Sequence, residues 1–262
     1  VSGRPGPAGT LTFSPAGHRY RLDGRPVPSV TTLISGGLPK PALPRWAART
    51  VAEHVADDPA LVESLRATGR GPMVAALAAL PWQARDTASA RGTEVHALAA
   101  RVAAGEEVDV PDDLLPLVQA AAQFYDDWDV EPLWTEVPVA HRAHWWAGRV
   151  DLVARLHRDG GRTWWLDLKT GSGVYPEAAL QLAAYAHCEF GLVEGAEAAP
   201  PACDAAGVVH LMPGGYDLVP VDAGQETYET FRRVAAVARR ARGLDRLLGE
   251  PLPAPAPQGV GA

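Results

Sequence analysis

Apolar and polar positions change their spacing along the chain, and the changes lay out its elements. Residues 10–22 alternate about Ser14-Pro15-Ala16-Gly17, which predicts a short hairpin, and Asp23-Gly24 marks a second turn. Ser29 offers an N-cap to a short helix, Val30 to Ile34, stopped by Gly36-Gly37. Pro39 to Pro44 reads as a rigid connector into a helix from about Arg45 to Ala56, with Trp46, Arg49 and Glu53 at helical spacing. Short helices are expected over 59–68 and 72–80, separated by Gly69-Arg70-Gly71. A long helix follows from about Trp82 to Ala104, with Val95, Leu98, Ala99 and Val102 as its apolar stripe and Gly105 as its end. A loop over 106–112 leads to another helix over 113–128, with Phe124 and Tyr125 near its end.

Period two then takes over. Leu133 to Val139, Ala147 to Leu156 and Thr163 to Leu168 read as three strands, with turns at 141–144 and near Arg158–Gly161. Gly171-Ser172-Gly173 breaks the third, and Pro176 opens a helix expected to reach Phe190. Residues 194–205 read as a looping stretch, Gly207 to Met212 and Tyr216 to Val221 as a hairpin, and Gln225 to Leu248 as a final amphipathic helix. The fold class is a mixed α/β core behind a helical N-terminal extension. The expected division is an extension over 1–85, a core over 86–250 and a frayed Pro/Ala-rich tail over 251–262.

Composition changes this picture in a few places. The chain is 47% hydrophobic and 21% charged, an ordinary globular balance, and no apolar run approaches the ~20 residues of a membrane span. Val1 to Gly9 lacks the basic-then-apolar pattern of a signal peptide, so a cytoplasmic location is the expectation. Cys188 and Cys203 are too few for a four-thiolate site and read as reduced thiols. The net charge of −7 opposes nucleic-acid binding only weakly, because a local groove can be basic on an acidic molecule. Of the 24 basic residues only Lys40 and Lys169 are lysines. Lysine is a compact point charge with a tunable pKa and arginine is neither, so the lysine inside Asp167-Leu168-Lys169 suggests chemistry.

Isolated charges on apolar strands are costly unless paired or bound to a metal. Asp167 and Lys169 are two apart and share a strand face, and Asp151 falls on the neighbouring antiparallel strand. Two carboxylates so placed suit a hard divalent cation such as magnesium, beside which Lys169 could orient a water or stabilise phosphate charge. The same spacing also fits an Asp167–Lys169 ion pair on an edge strand. Taken by itself, His96 is a helix histidine beside an apolar stripe. His141 and His144 have the look of a metal pair but fall in a hairpin turn, where a solvated loop is the simpler reading. Trp145-Trp146 and Trp164-Trp165 put one ring on each strand face, as core and rim packing does. The arginines of the last helix fit a solvated face or phosphate contacts equally.

Gly148-Arg149-Val150-Asp151, fifteen residues, Asp167-Leu168-Lys169-Thr170-Gly171, then Gln181-x-x-x-Tyr185 resembles the PD-(D/E)XK nuclease superfamily, in its RecB-like branch. Gly92-Thr93-Glu94-Val95-His96 is similar to that branch's helix motif, and Tyr20 to Trp46 to the leader of phage-encoded exonucleases within it. The resemblance implies a deoxyribonuclease dependent on Mg²⁺ or Mn²⁺, an exonuclease in recombination, repair or phage DNA processing. DNA would be its partner, with recombination or replication proteins beside it. It implies Asp151, Asp167, the Leu168 carbonyl and His96 as metal ligands and Lys169 as the catalytic lysine. Gln181 and Tyr185 would line the site and touch DNA or water, and Glu136 would serve a second metal or support the first. The four-cysteine iron–sulfur cluster of some relatives is not expected with two cysteines. A catalytically silent DNA-binding module and an endonuclease on the same core are the alternatives.

Overall fold

Three short strands open the described chain: β1 (Thr12–Ser14), β2 (Arg19–Leu22) and β3 (Arg25–Val27), paired antiparallel in that order. The computed structural model describes residues 11–14 and 19–252. The start of the chain, the Pro15–Gly17 part of the first expected turn and the tail past residue 252 lie outside the described residues. Asp23 (φ 51°) and Gly24 (φ 73°) join β2 to β3 through two left-handed residues, a backbone that matches strand twist. Leu11, Leu22 and Val27 of this small sheet bury against Ala140, Ala147 and Phe190 of the main one.

Ser29 caps α1 (Val30–Gly37), its hydroxyl accepting from the Thr32 amide at 3.1 Å. Contrary to expectation the helix does not stop at the glycines but includes them. A Cβ at Gly37 would overlap the Val234 carbonyl, so glycine there permits close helix packing.

Next come α2 (Ala42–Asp57), α3 (Pro59–Ala67), capped by Asp58, and α4 (Arg70–Ala103). The two helices expected over 72–80 and 82–104 are one helix of 34 residues, about 51 Å long at 1.5 Å per residue. Pro81 is buried within it beside the α2 residues Trp46, Ala47 and Val51, and tertiary packing carries the helix through a residue that local propensity reads as a break. The expected division at 85/86 therefore falls inside a helix.

The rest is α5 (Leu115–Trp128), β4 (Val130–His141), β5 (Trp146–Leu156), β6 (Arg162–Lys169), α6 (Glu177–Ala186), β7 (Phe190–Val193), β8 (Ala196–Ala198), β9 (Ala205–Met212), β10 (Gly215–Val221) and α7 (Gln225–Ala241). The main sheet has seven strands in the order β10-β9-β6-β5-β4-β7-β8. Among the described strands only β6 and β9 pair in parallel, with α6, β7 and β8 in the crossover between them. Two expectations fail here. Residues 190–193 and 196–198 are strands rather than helix end and loop, joined by Glu194 (φ 50°) and Gly195 (φ 80°), a turn hidden in an Ala/Glu-rich run. The last helix ends at Ala241, with a short 3₁₀ turn at Leu244–Leu247.

Helices cover both faces of the sheet. On one, Leu33 of α1, Leu182 and Tyr185 of α6 and Phe231 of α7 bury against Trp146, Val150, Trp165 and Val208. On the other, Val95 and Leu98 of α4 and Leu117 and Phe124 of α5 bury against Leu152, Leu156, Leu166 and Val209. The architecture is α/β, a mixed sheet flanked by helices. Among the described residues no helix is long and apolar enough to cross a membrane.

Candidate metal centre

The β4–β5 ladder shifts register between Pro132 and Trp134 and skips one pair farther along. Trp134 and Val137 on β4 belong to the same core, as do Val150 and Val153 on β5, although strand positions three apart ordinarily face opposite ways. The ladder runs through Thr135↔Leu152 and Val137↔Val150 with its register kept, so Glu136 and Asp151 between them oppose one another at a break in the pairing. Glu136 has a φ of 54°, a left-handed conformation that a non-glycine residue adopts at a cost of roughly 1–3 kcal/mol. Like charges directly across a ladder also repel. Both penalties fall on the same two residues.

A second irregularity adjoins it. The β5–β6 ladder ends at Leu152↔Leu166, and beyond it the Leu168 amide donates to Asp151 Oδ2 at 2.8 Å. The Asp151 carboxylate thus takes the place of a backbone partner where β5 and β6 separate. The third group comes from α4, whose stripe of Val95, Leu98 and Ala99 is buried and turns the adjacent His96 toward the sheet. Gly92, one turn before, lets the helix approach Thr170; a Cβ there would lie 3.4 Å from the Thr170 hydroxyl oxygen.

His96 Nδ1 lies 3.5 Å from Asp151 Oδ2 and 3.8 Å from Glu136 Oε1. One ligand atom from each of His96, Glu136 and Asp151 lies within 4.8 Å of the others. Arg149 holds the far oxygen of Glu136, Nε to Oε2 at 2.7 Å. On β6, Asp167 is 1% exposed. Its Oδ1 accepts from Lys169 Nζ and from Gln181 Nε2, both at 2.8 Å. Its Oδ2, 2.6 Å from Lys169 Nζ, has no partner in hydrogen-bonding geometry, an uncommon state for a buried carboxylate oxygen.

The charges reflect this crowding. Burial disfavours the His96 imidazolium, yet Asp151, Glu136 and Asp167 outweigh it and raise its pKa to about 9. Burial and Asp151 push Asp167 up to about 6 against the pull of Lys169. Burial and Asp151 likewise raise Glu136. Asp151 is held below the usual range because His96, Lys169 and the Leu168 amide outweigh its burial. Burial lowers the Lys169 pKa, but Asp167 and Asp151 reverse that and keep the group an ammonium.

The expected ligand set is thus brought together in part. His96 and Asp151 converge, joined by Glu136 in a more central place than sequence reasoning assigned it. Asp167 belongs to the adjoining group with Lys169 and Gln181, and Leu168 is seen offering its amide to Asp151. Tyr185 corrects the expectation that it touches DNA or water. It is 4% exposed, and a Cβ on Gly148 would overlap its ring. The Gly148 and Tyr185 motifs meet because glycine makes room for the tyrosine.

Sequence reasoning missed Arg149 as the partner of Glu136, and it missed Tyr20 and Tyr125. Burial, Glu136 and Asp151 raise Tyr20 to about 12 and carry Tyr125 well above its ordinary value, so both phenols stay neutral beside the carboxylates. A signal existed for Arg149 alone, since strand alternation puts it on the same side as Asp151. His141 and His144 are not a solvated loop. Their rings lie 4.0 Å apart, centroid to centroid, and His144 Nδ1 meets the Tyr228 hydroxyl at 2.6 Å. Nor do they join a ligand group of three among the described residues.

The donor set, one imidazole and two carboxylates, fits a divalent cation, and the imidazole suits manganese better than magnesium. Comparison with protein-family models and with curated proteins finds no match to this chain.

Proposed function

We propose that the protein is a divalent-metal-dependent deoxyribonuclease with a PD-(D/E)XK core of the RecB-like type. The observation that carries the reading is the convergence of His96, Glu136 and Asp151 beside the Asp167–Lys169–Gln181 group, where β5 and β6 part. The chain runs β4, β5, β6, α6, then β7, β8 and β9, so three antiparallel strands precede α6 and β9 returns parallel to β6. The end-dependent mode rests on the resemblance of the leader to phage-encoded exonucleases.

His96, Glu136 and Asp151 would hold Mg²⁺ or Mn²⁺. When bound, the ion supplies Lewis acidity, polarising a phosphoryl oxygen and easing the deprotonation of water. Lys169, kept as an ammonium, is a donor to phosphate oxygens rather than a base. Gln181 and Lys169 fix the Asp167 carboxylate from two sides, with Oδ2 against the Lys169 ammonium. Arg149 orients Glu136, and Asp151 is fixed by the Leu168 amide.

The test is cleavage of end-labelled linear and covalently closed circular DNA with Mg²⁺, with Mn²⁺ and with chelator. Linear DNA should be shortened only with metal, and Lys169→Ala should stop this while circular dichroism keeps its native form. Cutting of the closed circle overturns the exonuclease mode. Tight DNA binding without cleavage under either metal overturns the enzyme.

A further inference from the structure

The two lysines of the chain, 129 positions apart in sequence (169 − 40), line one cavity. It encloses about 190 Å³ beside the Asp167 group, with Lys40, Lys169, Tyr175, Glu177 and Gln181 in its wall. Lys169 and Gln181 are accounted for by Asp167, whereas Lys40, on the connector between α1 and α2, has no part in the centre described above. Its Nζ stands 3.8 Å from Glu177 Oε1, too far for a hydrogen bond, and both side chains are more than a third exposed. Such a pair contributes little to stability. It does hold an ammonium at the cavity wall. Tyr175 is 55% exposed, and its hydroxyl lies 3.3 Å from Ser172 Oγ, which leaves the ring open to solvent.

We infer that this cavity is the subsite for the nucleotide adjoining the cleaved phosphodiester, with Lys40 as its phosphate ligand and Tyr175 as a stacking platform for its base. The inference rests on the nuclease reading. Lys169 is spent on Asp167, whereas Lys40 is held by Glu177 only at 3.8 Å, so the Lys40 ammonium is the charge on the wall open to an anion. Lysine suits the task because its point charge and rotating donors follow a phosphate that shifts as the strand advances. An exposed ring offers every base the same π face, so this contact is indifferent to sequence. Glu177 would release Lys40 as a phosphate approaches, since the separation of the pair is already long.

The experiment is equilibrium binding of a short fluorescein-labelled DNA duplex to the full chain in Ca²⁺, at several salt concentrations, with steady-state cleavage in Mg²⁺ alongside. Lys40→Ala should weaken binding about tenfold and flatten the slope of log K against log[salt] by about 0.9, the signature of one lost phosphate contact. Its loss in cleavage should appear more in KM than in kcat, and Lys40→Arg should recover part of it. Tyr175→Ala should weaken binding with the salt slope kept, while Tyr175→Phe retains binding. A Lys40→Ala protein with wild-type affinity and salt slope overturns the subsite, whether or not its melting temperature falls. If the wild type cleaves DNA normally in that case, only the subsite fails. If the wild type neither binds nor cleaves, the nuclease reading fails with it.

Discussion

The β4–β5 hairpin carries two histidine clusters made from the same residue types, and they behave in opposite ways. At the centre of the hairpin His96 faces Asp151 and Glu136, and its pKa rises to about 9. At the turn end His141 and His144 stack on one another beside Tyr228 and Glu189, and both pKa values fall. The difference lies in what already satisfies each carboxylate and ring. Glu189 accepts from the Arg142 amide at 2.8 Å and faces its guanidinium, so it has little attraction left for His141. His144 is tied to Tyr228, and His187 stacks on that same tyrosine at 4.5 Å. Burial and neighbouring cations then decide, and the imidazoles stay neutral. In the central cluster Asp151, Glu136 and Asp167 outweigh burial and hold the imidazolium instead. Proximity of histidine to carboxylate therefore does not by itself set the charge of the ring; what each carboxylate and ring already holds does.

The largest expected effect separates the two clusters by activity. Asp151→Asn or Lys169→Ala should lower the DNA cleavage rate by at least about 10²–10³-fold, whereas His144→Phe should change it less than about threefold. A His144→Phe enzyme as inactive as Lys169→Ala would dissolve the distinction.

Metal binding should follow the same division. Saturating Mn²⁺ at about 100 times its dissociation constant should stabilise the wild type by about 2.7 kcal/mol in thermal unfolding. Glu136→Gln and His96→Asn should lose most of that stabilisation, and His141→Asn should keep it. Retention by Glu136→Gln with loss in Asp167→Asn would move the ion toward the ligand set expected from the sequence.

Stability against pH, measured in chelator, should have opposite signs for the two clusters. The His96 pKa is raised by folding, so its contribution is complete below about pH 6.5 and disappears as pH rises through about 9. It amounts to roughly 3 kcal/mol at most. His144 is lowered by folding, so its contribution holds above about pH 6.5 and is lost as pH falls. The wild-type-minus-His96→Asn difference should therefore shrink with alkali and the wild-type-minus-His144→Asn difference with acid. Curves of the same sign would remove the electrostatic contrast.

The smallest effect concerns the backbone. Glu136→Gly releases the left-handed strain at φ 54° and the repulsion from Asp151, and should raise the metal-free melting temperature by the equivalent of about 1 kcal/mol while weakening Mn²⁺ binding. A fall in metal-free stability would show that the Arg149–Glu136 pair outweighs the strain.

Much of the core was legible along the chain. Asp151, Asp167 and Lys169 stood out as charges on apolar strands, and the three strands and α6 fell close to their expected places. Their periodicity is local, and the turns near Gly160 and Gly161 are made by residues that announce themselves. The continuity of α4 through Pro81, the pair β7–β8 around Glu194-Gly195 and the stacking of His141 on His144 were not legible. Each depends on a partner distant in sequence. Pro81 is buried by α2, Ala140 of β4 pairs with Phe190 of β7, and Tyr228 of α7 receives His144.

The centre divides along the same line. Residue chemistry and spacing by themselves determined that a carboxylate pair and a lysine would meet on neighbouring strands, because alternation and a short turn leave few other arrangements. They also singled out lysine against a background of arginine. Only the tertiary structure decided that Glu136 stands opposite Asp151, that Tyr185 is a buried wedge under Gly148, and that Lys40 returns to the cavity of Lys169. Those outcomes depend on a break in one ladder, a contact between helix and sheet, and the path of a connector. None of the three is encoded in the period of a single segment.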